Sequence, residues 1–261
     1  MRELSLSYAD ANSGNNASTI GWINFGNIFL NPGEILTGLY VRLFDGSILS
    51  FDLKNDSNTD TGFALRSTSV PVTSDSNFGV LGYTNISGNI ALIKTPLPTS
   101  VEGEDSALFT LSNISYLSSS GTPISRFTLN VVDLYNLNSS EDPSGDFQQY
   151  ITNGTQWNLV ELIGRGPAPI IDITNESSTP ITISTLTNGI TPLAVEDSIS
   201  VADITYPTAD TRTPILSTES PSFIQSHFIA TTTNPIQGFA IGISTPNPNA
   251  ICRSRGVNLF R

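Results

Sequence analysis

Apolar and polar residues alternate along most of this chain with a period of two, and no stretch of a dozen residues places apolar positions at helical spacing. The alternation predicts strands over 4–8, 21–30, 35–43, 48–53, 63–69, 106–114, 125–133, 156–163, 170–174, 181–185, 223–231 and 238–243. Asn-Pro-Gly, Asp-Gly, Asn-Gly and Gly-Thr-Pro clusters separate them, and these residues tolerate positive φ or hold it near the value proline imposes. Phe44-Asp45-Gly46-Ser47 is the strongest hairpin signal, because Asp-Gly suits a type I′ turn, and it pairs 39–43 with 48–53.

Between 191 and 221 the alternation weakens and Pro, Thr, Asp and Ser dominate, as in a linker or a long surface loop. The loop is the better reading, since apolar strands lie on both sides and the last needs a sheet to join. The expectation is an all-β chain folded as one two-sheet sandwich over 15–245, with an N-terminal extension or strand over 1–14 and a basic tail over 246–261.

Composition sharpens the class. The 261 residues are only 13% charged, so hydroxyl and amide side chains carry solubility, as in extracellular β proteins. Eleven Lys and Arg against 23 Asp and Glu give a net charge of −12, which argues against a nucleic-acid partner. No apolar run approaches the roughly 18 residues that would span a bilayer. The start, Met-Arg-Glu-Leu-Ser-Leu-Ser-Tyr, lacks the apolar core of a signal peptide, so the expectation is a removed leader or a leaderless route such as an endospore layer. The single cysteine, Cys252, allows no internal disulfide and reads either as a free thiol or as a bond to a neighbouring subunit. Seven N-x-S/T sequons, among them Asn55 and Asn153, are what so Asn-rich a chain produces by composition.

Candidate chemistry is sparse. His227 is the only histidine and sits in the apolar run 223–229, where a structural role is the simplest reading. A catalytic triad would need it as base, and no Gly-x-Ser-x-Gly elbow is present. The dense acidic groups, Glu102, Glu104 and Asp105, then Glu141, Asp142 and Asp146, fall in predicted loops. No cofactor is called for; calcium is the ion such loop oxygens would suit, although the EF-hand spacing is absent. Trp22 and Trp157 lie in strand-like segments beside Phe25, Phe29 and Tyr150. Alternation sets Trp22 on the face of Asn24 and Gly26, opposite Ile23 and Phe25, which leaves it either in the core or as an exposed platform for sugar.

Several short motifs occur in a fixed order: Leu111-Ser112-Asn113-Ile114, a strand ending in Asp133, the turn Thr152-Asn153-Gly154 followed by Trp157, and Gln237-Gly238-Phe239-Ala240-Ile241-Gly242-Ile243. In words and order this resembles the non-repetitive domain of CshA-type fibrillar adhesins of Gram-positive bacteria, over most of 15–245. The resemblance implies a lectin-like jelly-roll sandwich displayed at a cell surface and used for adhesion to host glycoproteins or other cells. Signal peptide, repeat domains and an LPxTG-type wall anchor, which those adhesins carry, are not in this sequence.

The ends add a second theme. Arg253, Arg255 and Arg261 make a basic tail on an acidic body, and Leu259 and Phe260 continue it with an apolar alternation. Leu4, Leu6 and Tyr8 form a strand with one apolar face at the other end. Such segments can complete a neighbour's sheet. Taken together these features predict a non-enzymatic surface protein, extracellular or on a cell or spore surface. It would be a homo-oligomer or filament subunit assembling through Leu4, Leu6, Tyr8, Cys252, Arg253, Arg255, Leu259 and Phe260. The alternative is a lectin-like adhesin domain that binds glycan or host glycoprotein, with Trp22 as its platform.

Overall fold

Strands take up 55% of the described residues, and they follow the alternation of the sequence. The computed structural model describes residues 1–59, 62–74, 76–97, 106–134, 147–176, 199–206, 211–229 and 237–245. In chain order the strands are β1 Arg2–Ser7, β2 Ile20–Asn24, β3 Phe29–Leu30, β4 Ile35–Arg42, β5 Ile48–Asn55, β6 Ala64–Thr68, β7 Ala91–Thr95 and β8 Ser106–Leu117. There follow β9 Thr128–Asp133, β10 Phe147–Thr152, β11 Asn158–Ile163, β12 Ile170–Glu176, β13 Ile199–Thr205, β14 Thr213–Glu219, β15 Ile224–Ile229 and β16 Gly238–Ser244. The only helical turn among the described residues, Asn77–Leu81, is interrupted by non-helical angles at Phe78 and Gly79.

One hydrogen-bonded path runs β11-β14-β9-β16-β2-β1-β4-β5-β8-β15-β10-β13-β12. It folds over at β1. Arg2, Glu3 and Leu4 pair in parallel with Leu39, Tyr40 and Val41 of β4, whereas Ser5, Leu6 and Ser7 pair antiparallel with Asn24, Ile23 and Trp22 of β2. β1 thus belongs to both sheets and closes one side of the sandwich. The remaining strands form a branch, in which β7 pairs with β16, β6 with β7 and β3 with β6.

The main core lies between the two sheets. Phe239 of β16 stacks on Phe109 of β8 at 6.2 Å and meets Phe228 of β15 at 5.9 Å, while Phe25 meets Phe51 edge-on at 6.4 Å. A second core covers the opposite face of β2, β9 and β16. There the irregular segments around 9–20 and 70–90 bring Ala17, Phe78, Tyr83 and Ile90 down onto Trp22 and Val132. β2 is consequently buried on both faces.

The N-terminal segment forms the expected strand, β1, which pairs on both sides within the sheet. Several other expectations need correction. The loop expected over 191–221 contains β13 and β14. Pro214 masked the latter, but it lies one position before the β9 ladder begins at Ile215, so that ladder loses no donor. β7 and β10 were not anticipated as strands, and 21–30 splits into β2 and β3. Gly26 at φ +61° makes the break, with its N–H held by the Asn24 side chain at 3.0 Å. The hairpin joining β4 to β5 forms with a different turn. Only Gly46 takes positive φ, at +83°, and Leu43 N–H bonds Ser47 O at 2.8 Å, so the connection has three residues with glycine last. The predicted strand over 181–185 lies outside the described residues.

Candidate functional site

The main path of the sheet, folded at β1, ends at two edge strands far from β1 in the strand order, and the branch ends at a third, β3. Among the described residues β11 pairs only with β14, and β12 only with β13; the connection 164–169 joins the two. The two edges differ in regularity. In β11 the register shifts between Leu159 and Glu161, which is a bulge at Val160, and Glu161 accepts from the Asn15 N–H at 3.0 Å and the Tyr83 hydroxyl at 2.8 Å. A bulge of this kind blunts an edge. β12 has seven consecutive rungs, from Ile170 opposite Thr205 to Glu176 opposite Ile199, without interruption. Ile170 at its start is 62% exposed.

The outward row at the middle of β12 is polar. His227, Gln149, Asp203 and Asp172 stand opposite one another in successive strands β15, β10, β13 and β12. Gln149 donates to the Asp203 carboxylate at 2.8 Å, which helps offset the repulsion of two carboxylates facing across a ladder. His227 is mostly buried, its Nε2 has no partner among the described residues, and burial pushes its pKa down to about 4. The imidazole is therefore neutral at neutral pH and reads as structural, as the sequence suggests.

A second polar group is sealed in the main core. Asp133, at the end of β9, accepts from the Tyr206 hydroxyl. The Gln148 amide, turned with its nitrogen toward Asp133, donates to that carboxylate, and its oxygen accepts from the Tyr150 hydroxyl at 2.5 Å. Trp157 continues the chain: its indole N–H donates to the Tyr150 carbonyl at 3.2 Å, and its backbone N–H to the Ser200 hydroxyl at 3.1 Å. Burial, with the Asp133 charge added, raises the Tyr150 pKa, so its hydroxyl stays a proton donor. Asp133 and Trp157, picked out in the sequence only as parts of separate motifs, are thus two ends of one network. Asp133, Gln148, Tyr150, Trp157 and Tyr206 are all less than 5% exposed. An acceptor-only carboxylate enclosed by donors holds strands in register.

The sequence candidates divide as follows. Trp22 is fully buried, ringed by Phe78 at 4.9 Å and Tyr83 at 5.8 Å, which corrects its reading as an exposed platform. The third layer covers the face of β2 that alternation alone leaves open. Leu4 is buried in its own core, Leu6 packs against it, and Tyr8 is half-buried with its hydroxyl on Thr245. Within their own chain these three side chains pack in or beside the core, Leu6 and Tyr8 only in part. Cys252, Arg253, Arg255, Leu259, Phe260 and the acidic groups at 102–105 and 141–146 lie outside the described residues. Sequence reasoning missed β12's edge because an edge is a property of topology, invisible in a strand's own pattern.

Among the described residues no helix is long and apolar enough to cross a membrane, and no three His, Cys, Asp or Glu side chains converge on a metal position. No protein-family model matches the chain, and no match was found to a curated protein or to a solved structure.

Proposed function

We propose that this chain is a non-enzymatic surface protein, a structural and adhesive subunit of a bacterial fibre or spore-surface appendage, whose copies join through the open side of the sandwich. The observation that carries the reading is β12: seven regular rungs, one side with no partner strand among the described residues, no proline, no lysine and an exposed Ile170. Unprotected edges of this kind template further strands, and natural sheets normally blunt them. The adjacent Asp172 and Asp203 add negative charge beside the edge, and the Arg253, Arg255 and Arg261 segment of a neighbouring copy supplies the complement. The lectin-like jelly-roll scaffold and the cell- or spore-surface location belong to the same proposal. Electron microscopy and sedimentation of the purified full chain test it. Filaments or large regular oligomers are expected, and a monomer at every concentration up to the solubility limit removes the reading.

A further inference from the structure

At the closed side of the sandwich, where β1 changes sheets, the two ladders part and leave a gap. β1 leaves β4 after the rung joining Leu4 to Val41 and joins β2 at the rung joining Ser5 to Asn24. Arg42 and Leu43 lie past the end of the first ladder, and Phe25 and Gly26 past the end of the second. Between these ends is an open cleft of about 620 Å³ that is also lined by Arg2, Glu3 and the hairpin residue Phe44.

Its lining is unusual for this molecule. The chain has 11 basic residues against 23 acidic ones, yet two arginines share this one cleft. Arg2 is fixed from behind. One nitrogen of its guanidinium donates to the carbonyls of Phe25 and Asn27, both at 3.2 Å, and it has no carboxylate partner among the described residues. The rest of its fork has no acceptor among the described residues. Arg42 reaches Glu3 at 3.8 Å, with both side chains more than half exposed, a contact of little strength that a better-placed acceptor can displace. Glu3 also accepts from the Tyr40 hydroxyl at 3.2 Å, which gives it a second partner when Arg42 turns away. Phe44 is 83% exposed at a turn tip where a polar residue would be usual. The carboxylate of that turn, Asp45, is turned onto the Ser47 N–H at 2.9 Å and the Ser47 hydroxyl.

We propose that this corner cleft binds an acidic saccharide, with Arg2 and Arg42 donating to its carboxylate and Phe44 covering the apolar face of its ring. Planar guanidinium forks match a carboxylate geometrically, and charge-assisted bonds of this kind are the strong ones. The cleft is of a size for one or two sugar rings. An extended acidic peptide fits less well, because β1 already occupies the edges of β4 and β2 that would supply backbone rungs. This site is independent of pairing through β12, which lies far from β1 in the strand order.

The test uses the full chain and four probes: methyl glucuronate, methyl glucoside, acetate and N-acetyl-aspartate, followed by calorimetry and by amide chemical shifts of residues 2–5 and 42–46. Glucuronate is expected to bind at least about tenfold more tightly than the glucoside, the worth of one charged hydrogen-bonded pair. Arg42→Gln and Arg2→Gln should each lose about that factor, Phe44→Ala should weaken glucuronate but not acetate, and Glu3→Gln should strengthen glucuronate by removing the competitor. Arg42, Phe44 and Glu3 are surface side chains, so these variants keep the fold even if Arg2→Gln does not. Equal binding of glucuronate and glucoside overturns the proposal. So does glucuronate binding unchanged in Arg42→Gln, or N-acetyl-aspartate binding as tightly as glucuronate with Phe44→Ala without effect. Loss of binding with assembly intact, or the reverse, separates this site from the edge of β12.

Discussion

The indole N–H of Trp157 donates to the backbone carbonyl of Tyr150 at 3.2 Å, tying the entry of β11 to β10 across the sharp turn at 153–155. The turn is held in the same place from the other side. The Asn153 side-chain oxygen accepts the N–H groups of Ser222 and Phe223 at 3.0 and 3.2 Å, and the Thr152 hydroxyl donates to the Phe223 carbonyl at 3.1 Å. Trp157→Phe keeps an aromatic ring but removes the donor from a buried carbonyl, and it is expected to destabilise by about 1–3 kcal/mol. Trp157→Ala opens a cavity as well and should cost about 3–5 kcal/mol. Urea unfolding with an unchanged slope measures both, and a Phe variant as stable as the parent would show that the bond contributes nothing.

The hydroxyl of Tyr206 is one of the donors to Asp133. Tyr206→Phe removes one donor from a buried carboxylate, which should cost roughly 2 kcal/mol or more. Tyr40→Phe is the matched comparison, since its hydroxyl meets Glu3 in solvent, and it should change stability by less than about 0.5 kcal/mol. Equal effects in the two variants would mean that burial does not set the strength of the Asp133 network.

His227 gives the fold an acid-sensitive element. Burial lowers its pKa from 6.5 to about 4, so the unfolded chain binds the proton more readily than the folded one. The stabilisation is fully present above about pH 6.5 and is lost as pH falls toward 4, with a span on the order of 3 kcal/mol. Carboxylates titrate in part of the same range, so the readout is a difference: unfolding free energies of the wild type and of His227→Gln between pH 7 and pH 4. The gap between the two curves should shrink as pH falls. A constant gap would show that His227 titrates alike in both states.

Much of the sheet was legible because its strands obey a simple alternation. β4, β5, β8, β15 and β16 each bury one or both faces and carry the apolar residues to do so. What was hidden followed from partners distant in sequence. β7 reads Ala-Leu-Ile-Lys-Thr, too short and too uniformly apolar to show a period, since its first four residues are buried. β13 uses Ser200 and Ala202 at inward positions where a larger residue would have marked the strand. The burial of Trp22 depended on Phe78 and Tyr83, which reach it from an irregular segment with no periodicity. Glu3, Arg42 and Phe44 look like ordinary solvated residues in sequence. Only the change of partner in β1 gathers them with Arg2 around one cleft.

If copies pair along β12, a charge placed at its exposed start should stop them without harming the fold. Ile170 is 62% exposed and Leu159 on the neighbouring edge is 48% exposed, so neither contributes much burial within its own chain. Lysine at an edge is one of the devices natural sheets use against pairing, because a strand that docks there must desolvate the ammonium. Asp172 stands two positions along on the same outward face, so a lysine at 170 also gains a local partner and keeps β12 attached to β13. Ile170→Lys should therefore shift the sedimentation profile from large species to monomer, with unfolding free energy within about 0.5 kcal/mol of the parent. Leu159→Lys, on the bulged edge, should have the smaller effect, because Glu161 and the bulge at Val160 already obstruct that side. Equal loss of assembly in both variants would implicate the whole open side, whereas assembly unaffected by Ile170→Lys would exclude β12 as the joining strand.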